Sequence, residues 1–199
     1  SNTNLFEGID TSWNRVQGGE AIGKILYAIE KNFNFGNPSV HIPNLIKAYE
    51  LIQNLEDSHW KSIKSKQIIK VIEACSGLFM EAVADTETTT KDSKFNLNIE
   101  VINRSQSNAK LISVNALNLK NETKNTLLKY NEGLNFKFKD LVVGNKVDYS
   151  NLFWLKQKQT EGMYQVPDKS IRILPEISTS FPVIFTIEIR GKTIEFVKN

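Results

Sequence analysis

The sequence is poor in cysteine, histidine and long apolar runs, and each shortage excludes a class of protein. A single cysteine, Cys75, among 199 residues excludes an internal disulfide framework and a zinc cluster built from cysteines. The only histidines, His41 and His59, do not stand at metal-ligand spacing, whereas a catalytic zinc takes about three protein ligands. No run of about 18 apolar residues occurs, as a membrane-spanning helix requires. We therefore expect no metal site, no cofactor and no membrane span.

Common catalytic signatures are missing as well. The chain has no G-x-S-x-G elbow, no G-x-x-x-x-G-K-[ST] phosphate loop and no G-x-G-x-x-G fingerprint. Glu73 and Glu81 lie on one predicted helix, but a helix rises about 1.5 Å per residue, so they are about 12 Å apart, farther than the carboxyl pairs of glycosidases. The sequence therefore predicts no catalytic residues and a protein that is not an enzyme.

The composition is that of a folded globular protein, with 40% hydrophobic and 24% charged residues. Residues 1–93 hold 9 basic and 12 acidic side chains, whereas residues 94–199 hold 16 and 10. The basic residues are scattered along the second half, so we expect no nucleic-acid partner. Because the chain starts without an initiator methionine or a signal-peptide pattern, we expect it to be part of a longer protein.

Apolar residues recur at helical spacing through the first part of the chain and predict three helices. The first covers residues 21–33, and the second begins near Pro43, which suits the first turn of a helix. The third begins with Asp57 or Ser58 as its cap and continues to about Ala84. Short connections between them predict an antiparallel three-helix bundle.

The apolar period changes to two after about residue 90, which predicts strands. The predicted strands are KFNLNIEVINRS, KLISVNAL, LNFKFKD, GMYQV, SIRIL and two strands joined by a turn at RGK. About seven short strands without intervening helices are typical of an antiparallel immunoglobulin-like β-sandwich. We therefore predict an α+β protein with a helical region over residues 1–90 and a sandwich over residues 91–199, the helices packing against one sheet.

The stretch GIDTSWNRVQGG, residues 8–19, contains the candidate ligand or interface residues Asp10, Trp13 and Arg15. Unlike Trp60 and Trp154, which we expect in the core, Trp13 has polar neighbours and no apolar periodicity around it. It is therefore a candidate for contact with a ligand, because indole rings stack on sugars. Alternatively, Trp13 anchors the loop on the helices or the sandwich, Arg15 pairs with an acid, and Gly18-Gly19 provide the turn into the first helix.

The sequence resembles, over nearly its whole length, the C-terminal region of large PIG-L (LmbE-like) deacetylases from Bacteroidetes-type bacteria. An F-x-G-x-D-T-S-W-x-R run is matched by Phe6, Gly8, Asp10, Thr11, Ser12, Trp13 and Arg15. A G-L-F-x-E-A segment is matched by Gly77, Leu78, Phe79, Glu81 and Ala82. A third landmark of the family, Tyr-Trp-Leu, differs here because the chain has Phe153-Trp154-Leu155.

The resemblance implies an accessory role. In that family a zinc-dependent N-deacetylase domain with an H-P-D-D motif precedes this region, and neither His41 nor His59 is followed by Pro-Asp-Asp. We therefore expect a non-catalytic module whose partner is the deacetylase domain of the same parent protein, in a periplasmic or extracellular setting. The alternative is a carbohydrate-binding module that holds a glycan with exposed aromatic residues.

Overall fold

A computed structural model describes residues 6–116, 119–144, 149, 151–174 and 181–199 of the chain. Over these ranges the fold is α+β, with three helices followed by seven strands in two antiparallel sheets. The helices are α1 (Gly19–Lys31), α2 (Ile42–Gln53) and α3 (Ser58–Ser76). The strands are β1 (Leu78–Ala84), β2 (Lys94–Asn103), β3 (Ala109–Ala116), β4 (Lys120–Leu128), β5 (Gly133–Val142), β6 (Val183–Ile189) and β7 (Lys192–Lys198).

The three helices begin within two residues of the predicted positions, and α1 covers Gly19–Lys31 where residues 21–33 were expected. Pro43 lies in the first turn of α2, where its missing N–H costs no hydrogen bond. Asp57 caps α3, since its Oδ1 accepts a hydrogen bond from the Trp60 N–H at 3.0 Å. Helix α2 contacts both α1 and α3. It is thus the central helix, buried through Ile42, Leu45, Ile46, Ala48 and Ile52.

The third helix ends at Ser76, so the prediction that it continues to about Ala84 is wrong. Gly77 follows in the left-handed conformation (φ 62°), which ends helices because glycine adopts it without steric cost. A side chain at this position would also lie 3.2 Å from the backbone of Arg104 and Ser105. Beyond Gly77 the chain forms β1, which pairs with β2 along its length.

The strands form a three-stranded sheet, in the order β1-β2-β5, and a four-stranded sheet, in the order β4-β3-β6-β7. Alternate residues of β2 and β6 are buried between the sheets, which confirms the period-two pattern of both segments; they are Phe95, Leu97, Ile99 and Val101 of β2 and Val183, Phe185, Ile187 and Ile189 of β6. Arg190 and Gly191, both with positive φ, form the turn between β6 and β7.

Two predicted strands are absent from the described residues. Residues 162–166 contain only an isolated bridge between Thr160 and Met163, and residues 170–174 form turns. Neither has a neighbouring strand to pair with, and β-propensity without a ladder does not make a strand. The seven strands observed instead include β1 and β4, which the sequence pattern does not predict.

Helix α3 contacts the edge strands β1 and β7, one from each sheet, so the expectation that the helices pack against one sheet is wrong. Lys192 of β7 pairs with Glu50 of α2 at 2.8 Å, and Lys198 of β7 pairs with Glu73 of α3. The division of the chain at residue 90 stays a prediction, and β1 lies on its helical side although it belongs to a sheet.

Candidate functional site

Hydrogen bonds within residues 10–16 fold this segment into a tight turn. The Asp10 Oδ1 accepts from the Ser12 N–H at 2.8 Å, and the Ser12 Oγ accepts from the Asn14 N–H at 3.2 Å. These bonds precede a 3-10 turn over Trp13–Arg15. Hydrogen bonds from the Ser12 side chain and backbone lower the pKa of Asp10, and the attraction of Arg15 lowers it further. Asp10 is therefore an ionised carboxylate that stabilises the turn.

Trp13 lies on α1 because two glycines of that helix leave room for it. A side chain at Gly19 would overlap the Trp13 carbonyl oxygen, and one at Gly23 would lie 3.0 Å from the Trp13 Cβ. Gly18, with φ 80°, provides the left-handed residue directly before the helix. These contacts fit the anchoring interpretation of Trp13. The role of Trp13 in contacting a ligand stays a prediction.

Helix α3 brings a second tryptophan and a lysine to Trp13. The Lys64 Nζ lies 5.6 Å from the centre of the Trp13 ring and 5.7 Å from that of Trp60, and the Arg15 Cζ lies 5.7 Å from the Trp60 ring. All three distances are within the range of cation–π attraction, about 6 Å. We call this place the two-tryptophan cleft; it is lined by Thr11, Ser12, Trp13, Arg15, Val16, Trp60 and Lys64.

The two-tryptophan cleft is small. Its volume is about 100 Å³, and a water molecule in the liquid takes about 30 Å³, so the cleft has room for about three waters. Small-molecule pockets usually measure about 300–1,000 Å³. The cleft therefore suits the end of a side chain and is too small to enclose a sugar ring.

The cleft also carries positive charge without a paired carboxylate. Among the residues that the structure describes, neither Arg15 nor Lys64 forms an ion pair. The Lys64 Nζ donates instead to the Gln67 amide oxygen at 2.9 Å. The nearby carboxylates of Asp10 and Asp57 accept backbone N–H groups. The geometry thus leaves two cations beside two indole rings.

Two larger hollows are lined by other residues that the structure describes. One, of about 660 Å³, is formed by residues 158–164 and includes the exposed ring of Tyr164. The other, of about 350 Å³, opens between the sheets and is lined by Ala82, Ala84, Thr86, Glu87, Thr88, Thr89, Phe95, Leu97, Phe181, Val183 and Asn199. Both are in the size range of small-molecule pockets.

Comparison of the chain with family models, curated proteins and solved structures finds no match. The resemblance to the deacetylase family therefore rests on the quoted sequence segments alone.

The remaining reactive side chains of the described residues have local structural partners or are buried. The His41 Nε2 accepts from the Asn34 N–H at 2.9 Å, and its ring stacks on Phe33. Burial raises the pKa of the Cys75 thiol. The described ranges contain no group of three or more His, Cys, Asp or Glu placed to hold a metal ion. None of the helices in these ranges is long and apolar enough to cross a lipid bilayer.

Sequence reasoning finds Trp13 and Arg15 but misses their partners Trp60 and Lys64. The spacing of Trp60 and Lys64 is the one signal in the sequence. They are four residues apart on α3, and residues at that spacing lie on one face of a helix. The contact with Trp13 is tertiary, since it depends on how residues 11–16 dock between α1 and α3. Trp60 is half-buried and packs against the core cluster, as expected, while part of its ring faces the cleft.

Proposed function

We propose that the chain is a non-catalytic accessory module of a PIG-L/LmbE-like N-deacetylase and holds the catalytic domain in position. The two-tryptophan cleft carries the proposal. Tryptophan and arginine side chains dominate the energetics of protein interfaces, and here both types line a cleft that suits a side chain better than a substrate. A module that binds a catalytic domain needs such a surface and no catalytic groups of its own.

The positions of the resembling segments support this proposal. Trp13 lies against α1, and Gly77 makes the turn from α3 to β1 against the backbone of Arg104. These residues lie where elements of the fold pack together or connect. A fold shared with the C-terminal region of the deacetylases would therefore account for the resemblance without shared catalytic chemistry.

The proposal also includes a more specific description of the fold. We infer an immunoglobulin-like sandwich that follows a three-helix bundle. The chain changes sheets between β2 and β3, between β4 and β5, and between β5 and β6, which is the kind of Greek-key connection that immunoglobulin-like domains use. The periplasmic or extracellular setting is also proposed, from the resemblance.

An activity assay of the chain and the melting temperature of the catalytic domain test the proposed function. The purified chain is assayed with added zinc on acetylated amino sugars, alone and together with a zinc-loaded PIG-L-type catalytic domain from the same organism. We expect no turnover by the chain alone. We also expect it to raise the melting temperature of the catalytic domain by a few degrees. Binding that stabilises a domain of about 150–250 residues by about 1 kcal/mol raises its melting temperature by about 2–4 °C. Deacetylation by the chain alone, or an unchanged melting temperature at saturating chain, would contradict the proposal.

A carbohydrate-binding module is the second candidate, and the hollow at residues 158–164 favours it. Tyr164 is 56% exposed, and Lys158, Gln159, Thr160 and Glu161 supply polar groups around it. Calorimetric titration with amino sugars and polysaccharides tests this function. Binding that is lost in Tyr164→Ala and kept in Tyr130→Ala, which removes another exposed tyrosine, would support it, and no heat with any sugar would exclude it.

A further inference from the structure

We propose that the two-tryptophan cleft binds the carboxylate of an aspartate or glutamate side chain presented by the deacetylase domain. This inference rests on the proposed function and specifies the chemistry of the contact. The carboxylate would lie between the Lys64 ammonium and the Arg15 guanidinium, with its methylene groups against the indole rings of Trp13 and Trp60.

The positive charge of the cleft favours an anionic ligand. Two cations line the cleft, and within the described chain neither has a carboxylate within ion-pair distance. Asp10 is the nearby acid, and its Oδ1 accepts a hydrogen bond from the Ser12 N–H, while its attraction to Arg15 acts beyond ion-pair distance. Asp57 likewise accepts the Trp60 N–H. An incoming carboxylate therefore meets donors that no acid of the described residues occupies.

The size of the cleft favours a small carboxylate over an anion that must be enclosed whole. The cleft holds about 100 Å³, which is the space of about three waters. A carboxylate with one or two methylene groups has about four or five heavy atoms and fits this space, whereas a uronic acid has about three times as many. The hydroxyl group of Thr11, which lines the same cleft, is a further donor for carboxylate oxygens.

Proximity favours the catalytic domain as the source of the carboxylate. Under the proposed function that domain precedes this region, and residues 11–16 form one wall of the cleft. A domain tethered next to its binding surface reaches effective concentrations in the millimolar range. A contact of modest affinity is then sufficient for stable docking.

Charge-removing variants test the inference. The chain is labelled with ¹⁵N and titrated with the unlabelled catalytic domain, and the indole N–H resonances of Trp13 and Trp60 report binding. We expect Arg15→Gln and Lys64→Gln each to weaken binding by about tenfold, because each removes a charge-assisted hydrogen bond. Lys66→Gln, which removes an exposed lysine of the same helix, is the matched control and should bind as the unaltered chain does. Amide spectra of the free variants verify that they fold.

A zero-length carbodiimide cross-link gives an independent readout. This reagent joins an amine to a carboxylate that already touches it, so peptide mass spectrometry should find Lys64 linked to an aspartate or glutamate of the catalytic domain. The Lys66→Gln chain should give the same product, and the Lys64→Gln chain should lose it.

Three results would overturn the inference, and they are distinguishable. Unchanged affinity in Arg15→Gln and Lys64→Gln would place the contact elsewhere and leave the proposed function standing. Absence of any binding by the unaltered chain would remove both. Indole shifts produced by oligogalacturonate, and not by the catalytic domain, would make an acidic glycan the occupant.

Discussion

Single glycines determine how the candidate site is built, because they let Trp13 lie directly against α1. Gly19 leaves no space for a Cβ atom beside the Trp13 carbonyl, and Gly23 leaves very little beside the Trp13 side chain. Gly18 before them has positive φ, where other residues are strained. The position of Trp13, and with it the cleft, therefore depends on backbone positions that carry no functional group.

Substitution of Gly19 tests this dependence. We expect Gly19→Ala to lower the free energy of unfolding by about 1–3 kcal/mol, since a methyl group forced into a filled space displaces its neighbours. The indole resonance of Trp13 should shift as well. Gly144→Ala is the matched control, because nothing lies within 4 Å of a Cβ at that position, and it should change stability by less than about 0.5 kcal/mol. Urea denaturation measures both, and equal stability of the two variants would refute the dependence.

For single residues, the sequence predicts helix caps and other local features better than contacts between distant parts of the chain. The Asp57 cap and Pro43 at the start of α2 follow from hydrogen bonding within a few residues of the chain. The approach of Trp13 to Trp60 and Lys64 does not, because it brings together residues more than 45 positions apart in the sequence. Asp10, Trp13 and Arg15 stay candidates for ligand or interface contact.

Among the elements, the end of β2 is the joint between the helices and the sandwich. Asn103 is 1% exposed, and its Nδ2 donates to the carbonyls of Ser107 and Leu128 at 2.8 and 3.2 Å. Next to it, the Ser105 hydroxyl donates to the carbonyl of Ser76, at the end of α3, at 2.6 Å. These buried bonds determine how α3 meets the sheets.

Loss of the Asn103 amide should destabilise this joint. We expect Asn103→Ala to lower the free energy of unfolding by about 1–3 kcal/mol, because it removes a buried amide that donates to the Ser107 and Leu128 carbonyls and accepts from the Ser105 N–H. Asn98→Ala, on the exposed face of the same strand, is the control and should change stability by less than about 0.5 kcal/mol. Thermal unfolding followed by circular dichroism provides the comparison. An Asn103→Ala protein as stable as the control would show that the network does not hold the joint.

Helices and strands with a clear apolar period can be predicted from the sequence, whereas β1 and β4, which lack a distinctive period, cannot. β1 is missed because Cys75, Leu78, Phe79 and Ala82 also fit helical spacing, although Gly77 is the kind of residue that ends a helix. β4 is missed because KNETKNTLL has no apolar alternation. Its Lys124 is partly buried with its Nζ 4.0 Å from the Phe136 ring centre, and a charged residue that points inward is one way in which edge strands avoid aggregation.

For the whole molecule, the described helices and sandwich share one continuous apolar core. A single cluster of buried residues extends from α1 to β7. The ion pairs Lys192–Glu50 and Lys198–Glu73 cross the same boundary, and an exposed pair such as Lys192–Glu50 contributes at most about 1 kcal/mol. Apolar contact therefore holds the two regions together. The acidic first part and the basic second part of the chain attract each other only weakly beyond these pairs.

We propose that this chain binds a PIG-L-type catalytic domain through the surface near Trp13. The most direct measurement is an isothermal calorimetric titration of the chain with the zinc-loaded catalytic domain. We expect one-to-one binding with a dissociation constant of about 1–100 µM, which is tight enough for a tethered domain whose effective concentration is in the millimolar range. No binding at about 1 mM partner would rule out this docking, because the domains would then stay undocked even when joined.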